Sequence, residues 1–157
     1  MLLTVWRHAE AAYSHPDYQR QLTERGVQHI QATVGLYRSL CQQRGLSIPT
    51  LCTHSPYVRT RQTASLIARG LCLSNLVSQH LLAPGQNDYV SGHYLSEDSG
   101  HQLIVGHQPY LSQLINVWCD TSAHTSISPS GFAIIELTVP YRGGGELLHH
   151  APEGYLC

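Results

Sequence analysis

Short, uninterrupted apolar runs, each giving way to a helical pattern, constrain this chain most. The first run, Leu2 to Trp6, has no alternating polar positions. Such a strand is buried on both faces and therefore central in a sheet. Thr23 can then cap a helix whose apolar positions Val27, Ile30, Val34, Tyr37 and Cys41 fall three or four residues apart, with Gly45 after Arg44 as a stop signal. A second strand is expected at Thr50 to Thr53, followed by a helix that Pro56 opens and that ends near Gly70. A weaker strand spans 75–79. The segment 83–100 reads as a loop holding a short helix near Tyr89 to Leu95. Gln102 to Val105 is another buried strand, running into Gly106-His107-Gln108-Pro109 and a helix from Pro109 to about Cys119. Two last strands, Phe132 to Val139 and Glu146 to His150, flank the turn Tyr141 to Gly145 and are expected to pair at a sheet edge. The predicted fold is α/β: a three-layer α/β/α sandwich with a mostly parallel central sheet.

A chain of 157 residues, 42% of them apolar, buries one core and is expected to form one domain over 1–157. Nine basic against ten acidic side chains give a formal net charge of -1, with no basic run to suggest a nucleic-acid or membrane surface. Any cationic site is therefore local. The five cysteines, Cys41, Cys52, Cys72, Cys119 and Cys157, include no CxxC pair, which argues against a disulfide framework or a zinc knuckle and for reduced thiols in the cytoplasm. The longest later apolar stretch, Leu111 to Cys119, is interrupted by polar residues, and no charged leader precedes the first strand. Neither export nor membrane insertion is expected.

Three of the strands end in residues suited to phosphate: Arg7-His8, then Ser55 and Arg59, then His107. In open α/β sheets ligands bind beyond the carboxyl ends of the strands, so these side chains should meet at one edge. A guanidinium grips two phosphate oxygens at once, and a neutral imidazole can attack phosphorus. Helix N-termini near Pro56 and Pro109 would add backbone N–H groups and the positive end of a dipole.

These segments resemble the histidine phosphatase superfamily. Arg7-His8 stands for its RHG signature, Ser55-Pro56-Tyr57-Val58-Arg59-Thr60-Arg61-Gln62-Thr63 for its SP-x-x-RA-x-QT segment, and Gly106-His107 for its final histidine motif. The match spans residues 1 to about 115. Within the superfamily the chain looks most like the SixA-type phosphohistidine phosphatases, through its length, Arg20-Gln21-Leu22-Thr23 and His107-Gln108-Pro109. The resemblance implies a phosphoglycerate mutase-like fold without a large cap insertion. It implies that His8 is the nucleophile that becomes phosphorylated, that Arg7, Arg59 and His107 bind the phosphoryl oxygens, and that Arg20 and Ser55 are further phosphate contacts. Fixed Arg and His⁺ donors would stabilise the phosphoryl group in flight without a metal ion or cofactor, each supplying on the order of 3 kcal/mol. Water would then release inorganic phosphate.

Two departures bear on substrate. Ala9 stands where the family usually has Gly, which a negative φ would tolerate. Where many members place a carboxylic acid after the third strand, this chain reads Ser78-Gln79-His80-Leu81-Leu82, so His80 is the proton donor or none is used. An alkoxide leaving group needs a proton, whereas an imidazole with a pKa of roughly 6.5 leaves readily when protonated. The expected reaction is therefore dephosphorylation of a phosphohistidine-bearing phosphorelay or phosphotransfer protein through a covalent phosphohistidine on His8. Two alternatives stand beside it: a phosphatase or mutase for small phosphate esters with His80 or Asp88 as acid, and a phosphate-binding module without turnover. The remaining histidines, His15, His29, His54, His93, His101, His124, His149 and His150, read as surface or internally satisfied groups, and their spacing shows no HxxxH or HExxH metal pattern. Arg61 and Arg69 read as solvated, Trp6 and Tyr57 as packing residues near the site rim, and Asp17 either orients Arg20 or caps its loop.

Overall fold

Alternate residues of strand β1 (Leu2–Arg7) face opposite sides of one sheet, and both sides are covered. Leu3 and Val5 pack into one cluster with Ile104, Ile135, Leu111, Leu114 and Trp118. Trp6 belongs to the other, with Leu103, Val105, Ile134, Ile30, Tyr37 and Ile67. The computed structural model describes residues 1–86, 88–123 and 125–154; His124 and Cys157 lie outside the described residues.

The sheet has six strands in the order β3-β2-β4-β1-β5-β6, where β2 is Leu51–His54, β3 Leu76–Ser78, β4 His101–Gly106, β5 Phe132–Leu137 and β6 Gly145–Ala151. β3, β2, β4 and β1 run parallel. β5 pairs antiparallel with β1, and β6 closes the edge against β5. Helices α1 (Glu24–Arg44) and α2 (Val58–Leu71) lie against the Trp6 side, and α3 (Tyr110–Trp118) covers the Leu3 side. The fold is the predicted three-layer α/β arrangement. Among the described residues no helix is long and apolar enough to cross a membrane.

Helix α1 is bounded as its sequence suggests: Thr23 Oγ1 accepts from Gly26 N–H at 2.9 Å, and Gly45 ends it in the left-handed region at φ 65°. Helix α2 departs from expectation at its start. Ser55 N–H still bonds Val105 C=O at 3.1 Å as a continuation of the strand ladder, so the helix starts at Val58 rather than at Pro56. It ends at Leu71, next to Gly70 as expected. A Cβ at Gly70 would lie 2.5 Å from a Val34 methyl, so this glycine serves the close approach of α2 to α1, and Cys72 at φ 59° forms the cap. Among its described residues the segment 83–100 holds a single 3-10 turn, Tyr89–Ser91, shorter than the helix expected there.

One polar chain crosses the Trp6 side. His101 Nδ1 lies 2.6 Å from the Ser47 carbonyl, its Nε2 lies 2.9 Å from Thr4 Oγ1, and Thr4 Oγ1 lies 2.7 Å from the Tyr37 hydroxyl. A carbonyl only accepts, so Nδ1 carries the proton and Nε2 accepts from this chain. Burial lowers the His101 pKa to about 4, so the folded protein keeps the ring neutral where an unfolded chain would protonate it. Between pH 6.5 and 4 the unfolded state binds more protons, and stability falls as pH falls. Urea unfolding at pH 5 should give a stability lower than at pH 7 by about 2 kcal/mol from His101 alone. A stability unchanged between these pH values would contradict the neutral network.

Candidate active site

Arg7 at the end of β1 pairs in register with Gly106 at the end of β4, and His54 at the end of β2 pairs with Val105. The three strands therefore finish at one level, and the residues that follow them meet. A cleft of about 350 Å³ at this edge is lined by Arg7, His8, Asp17, Arg20, Arg59 and His107, with Glu10, Pro84, Gln108, Tyr110 and Pro129 around them. A larger hollow of about 440 Å³ beside it shares Glu10 and Pro129 with the cleft but contains none of its three guanidiniums or two imidazoles, being lined instead by Arg25 and His29 of α1.

The orientation of His8 follows from one bond. Its Nδ1 lies 2.8 Å from the Ala9 carbonyl, which can only accept, so the proton sits on Nδ1 and Nε2 keeps its lone pair. Burial, with the charges of Arg59, Arg7 and Arg20 adding to it, lowers the His8 pKa to about 4 against the opposing pull of that carbonyl. The ring is thus neutral at pH 7. Ala9 N–H donates to Thr63 Oγ1 at 3.0 Å, tying the loop to α2. Ala9 is absent from the residues with positive φ, so its methyl group is accommodated where glycine would otherwise stand.

Arg59 is almost wholly buried, its side chain 6% exposed, and each of its nitrogens has a partner. Nε donates to His8 Nε2 at 3.2 Å, Nη1 to the Asp17 carbonyl at 2.9 Å, and Nη2 to Asp17 Oδ2 at 3.1 Å. The Tyr57 ring lies under its Cζ at 5.0 Å. Arg7 donates Nη1 to the Ile127 carbonyl at 3.0 Å, while its buried Nε has no acceptor among the described residues. Burial, and secondly the charge of Arg59, lowers the pKa of Arg7.

His107 lies beside His8, with ring centroids 5.3 Å apart. Its Nδ1 is 3.4 Å from Arg59 Nη2 and its Nε2 is 2.8 Å from Ser55 Oγ. The Tyr89 hydroxyl accepts from His107 N–H at 3.2 Å and donates to the Leu82 carbonyl at 2.6 Å. Gly106 makes room for that hydroxyl, since a Cβ there would stand 2.5 Å from it. The expectation of a cationic His107 needs correcting for the unliganded site: burial first, then His8, Arg59 and Arg7, lowers its pKa to about 2. A neutral imidazole still donates one hydrogen bond, and the Ser55 hydroxyl can serve either tautomer as donor or acceptor.

Three further expectations are revised. Ser55 is fully buried and outside the cleft lining, so it orients His107 and does not face a phosphate. Tyr57 occupies the cap position of α2, and its N–H reaches Ser55 Oγ at 3.3 Å. His80 is exposed at the start of a 3-10 turn, and neither it nor Asp88 lines the cleft, so neither alternative acid is brought to the reacting centre. Arg20 does line the cleft, but Nε and Nη2 are spent on the carbonyls of Ala12 and Ala11 and Nη1 on Asp17 Oδ1 at 3.2 Å. Arg61 and Arg69 are exposed, whereas Trp6 is a core residue that donates to the Ser130 carbonyl at 2.8 Å.

Sequence reasoning missed the double hold of Asp17 on Arg59, the Thr63 anchor and the Tyr89 strut. The Gln62-Thr63 pair in the second motif was the available signal: Gln62 Oε1 accepts from Leu22 N–H at 2.9 Å, while Thr63 holds Ala9. Among the described residues no cluster of three or more His, Cys, Asp or Glu could hold a metal ion. Removing the Ser55 hydroxyl should free the His107 ring. Ser55→Ala is expected to lower kcat/KM for phosphoryl transfer by roughly tenfold, about 1.4 kcal/mol, with the fold intact. A rate equal to wild type would place Ser55 outside the catalytic arrangement.

No family model matches the sequence, and no curated protein matches it. Solved structures do match in fold. The protein histidine phosphatase SixA, solved with tungstate, superposes with a TM-score of 0.80 at 23% identity over 97% of each chain. A putative SixA phosphohistidine phosphatase from Agrobacterium tumefaciens matches at 0.76 and 20% identity over 94% of this chain and 95% of that one. An α-ribazole phosphatase from Shigella flexneri matches at 0.68 and 16% identity over 100% and 98%. The chain therefore has the histidine phosphatase fold, closely similar to that of SixA proteins along nearly its whole length.

Proposed function

We propose that this protein is a histidine phosphatase of the SixA type that removes phosphate from a phosphohistidine-bearing phosphorelay or phosphotransfer protein. The observation that carries this reading is the His8 tautomer: Nδ1 is committed to the Ala9 carbonyl, and Nε2 presents its lone pair to a cleft holding three guanidiniums. The fold match to SixA structures supports it, as does the tungstate in one of them, a tetrahedral oxyanion like phosphate.

The chemistry proceeds from these side chains. A phosphoryl group entering the cleft is held by Arg7 and Arg59, with His107 donating a further hydrogen bond. Arg59 transfers its Nε–H from the His8 lone pair to a phosphoryl oxygen. His8 Nε2 then attacks phosphorus, and the bonding pair of the departing group returns to its own nitrogen. Water attacks the phosphohistidine, the P–N pair returns to His8, and inorganic phosphate leaves. Arg20 contributes through Asp17 or by turning towards the phosphate once bound. Neither His80 nor Asp88 lines the cleft, and the Asp17 carboxylate beside Arg59 is held ionised by its two arginines, which favours a substrate whose leaving nitrogen needs no added proton. Four unpaired cysteines among the described residues suit a reducing cytoplasm.

Brief reaction with a phosphohistidine peptide followed by acid or alkaline quench is the direct test. Wild type should retain a phosphate that is stable to base and lost in acid, and His8→Ala should retain none. Efficient hydrolysis of sugar phosphates or phosphoglycerate with phosphohistidine left intact would instead establish the ester phosphatase.

A further inference from the structure

Asp17 lines the cleft beside Arg59, and its carboxylate takes no part in the bond-making steps above. Its carboxylate lines the cleft with His8, Arg59 and His107, and its side chain is 54% exposed. Oδ1 takes Arg20 Nη1 at 3.2 Å and Oδ2 takes Arg59 Nη2 at 3.1 Å. Each oxygen thus keeps a further acceptor site, since an ionised carboxylate has about four. The guanidinium of Arg59 lies between the two functional atoms: Nε touches His8 Nε2, and Nη2 touches Asp17. A phosphoryl group on that guanidinium would have the nucleophile on one side and the Asp17 carboxylate beside its outer, open side.

The loop is built to keep Asp17 there. Ala12 N–H bonds the Gln21 carbonyl at 2.9 Å, Ala11 bridges Leu22, and Arg20 clamps the carbonyls of Ala11 and Ala12. The Asp17 carbonyl is itself held by Arg59 Nη1. Asp17 is therefore fixed to the cleft from both sides of its own residue.

We infer that Asp17 is the residue that selects an imidazole leaving group, by accepting a hydrogen bond from the ring N–H opposite the phosphorylated nitrogen. The inference rests on the phosphohistidine reading above. In the step itself His8 Nε2 supplies the pair for the new P–N bond, and the pair of the old P–N bond returns to the substrate nitrogen. The substrate ring reacts in its protonated form, its other nitrogen carrying a proton held by Asp17, so that return of the P–N pair releases a neutral imidazole. No proton is transferred to the leaving atom. An alkoxide has no such N–H and must gain a proton, which an ionised carboxylate cannot give. Burial opposes ionisation of Asp17, and the hydrogen bonds and charges of Arg20 and Arg59 outweigh it, so its pKa lies below the ordinary value and the group stays an acceptor at neutral pH.

Selection is read from a ratio: kcat/KM on phosphoimidazole divided by kcat/KM on p-nitrophenyl phosphate, whose phenolate leaves unprotonated. Asp17→Asn should lower this ratio about tenfold, and Asp17→Glu should restore part of it. Asp17→Ser, which also lacks the carboxylate, gives the same fall if the asparagine variant does not fold. An equal loss on both substrates would mean that Asp17 only positions Arg59, and a ratio within twofold of wild type would remove it from the step; either result overturns the inference while leaving the phosphohistidine reading intact. Wild type unable to cleave phosphoimidazole or a phosphohistidine peptide would overturn both.

Discussion

Parallel pairing of β1 with β4, in the register that sets Arg7 opposite Gly106, is the constraint on which the rest depends. A shift of one residue would turn Leu3 and Val5 out of one core and Trp6 out of the other, so burial on both faces fixes the register. The register in turn fixes the chemistry. His8 N–H bonds the Gly106 carbonyl at 3.2 Å and Ser55 N–H bonds the Val105 carbonyl at 3.1 Å, so the three exit loops start from the same ladder. Hydrophobic packing far from the cleft thereby sets two imidazole rings 5.3 Å apart.

Bringing like charges together has a cost that the surroundings offset. Burial first, and then the charges of Arg59 and Arg7, hold both histidines neutral. For His8 that neutrality is the state the proposed reaction needs, because only the unprotonated Nε2 can attack phosphorus. Asp17 supplies the one carboxylate in contact with Arg59 among the described residues, and its partial exposure leaves it reachable by a ligand in a way that a buried partner would not be. The same few interactions therefore hold the arginine, mask the nucleophile and leave an acceptor at the mouth of the cleft.

Much of this was legible in the sequence because buried parallel strands and a well-capped helix leave strong local signals. Leu2 to Trp6, Thr23 and Gly45 each report their own backbone state, and the strand ends then place Arg7, His8, Arg59 and His107 together. What was not legible depends on distance in space. Nothing near Ser55 reveals that its hydroxyl turns inward to His107, because that follows from the ladder bond that delays α2 to Val58. Gly70 carries the signal of a helix stop, yet its cause is a Val34 side chain on another helix. Asp17 is an ordinary loop residue until Arg59, 42 positions later, closes on both its carbonyl and its carboxylate. His80 follows the third strand in sequence, but the chain turns it to the exterior.

The central claim is that His8 attacks through Nε2 because Nδ1 is held by the Ala9 carbonyl. Phosphorus–nitrogen couplings in the ¹⁵N-histidine-labelled protein, recorded while a phosphohistidine peptide is turned over, test it most directly. The account predicts phosphorus bonded to Nε2 of His8, with Nδ1 still protonated. Phosphorus on Nδ1, or on another histidine, would contradict it.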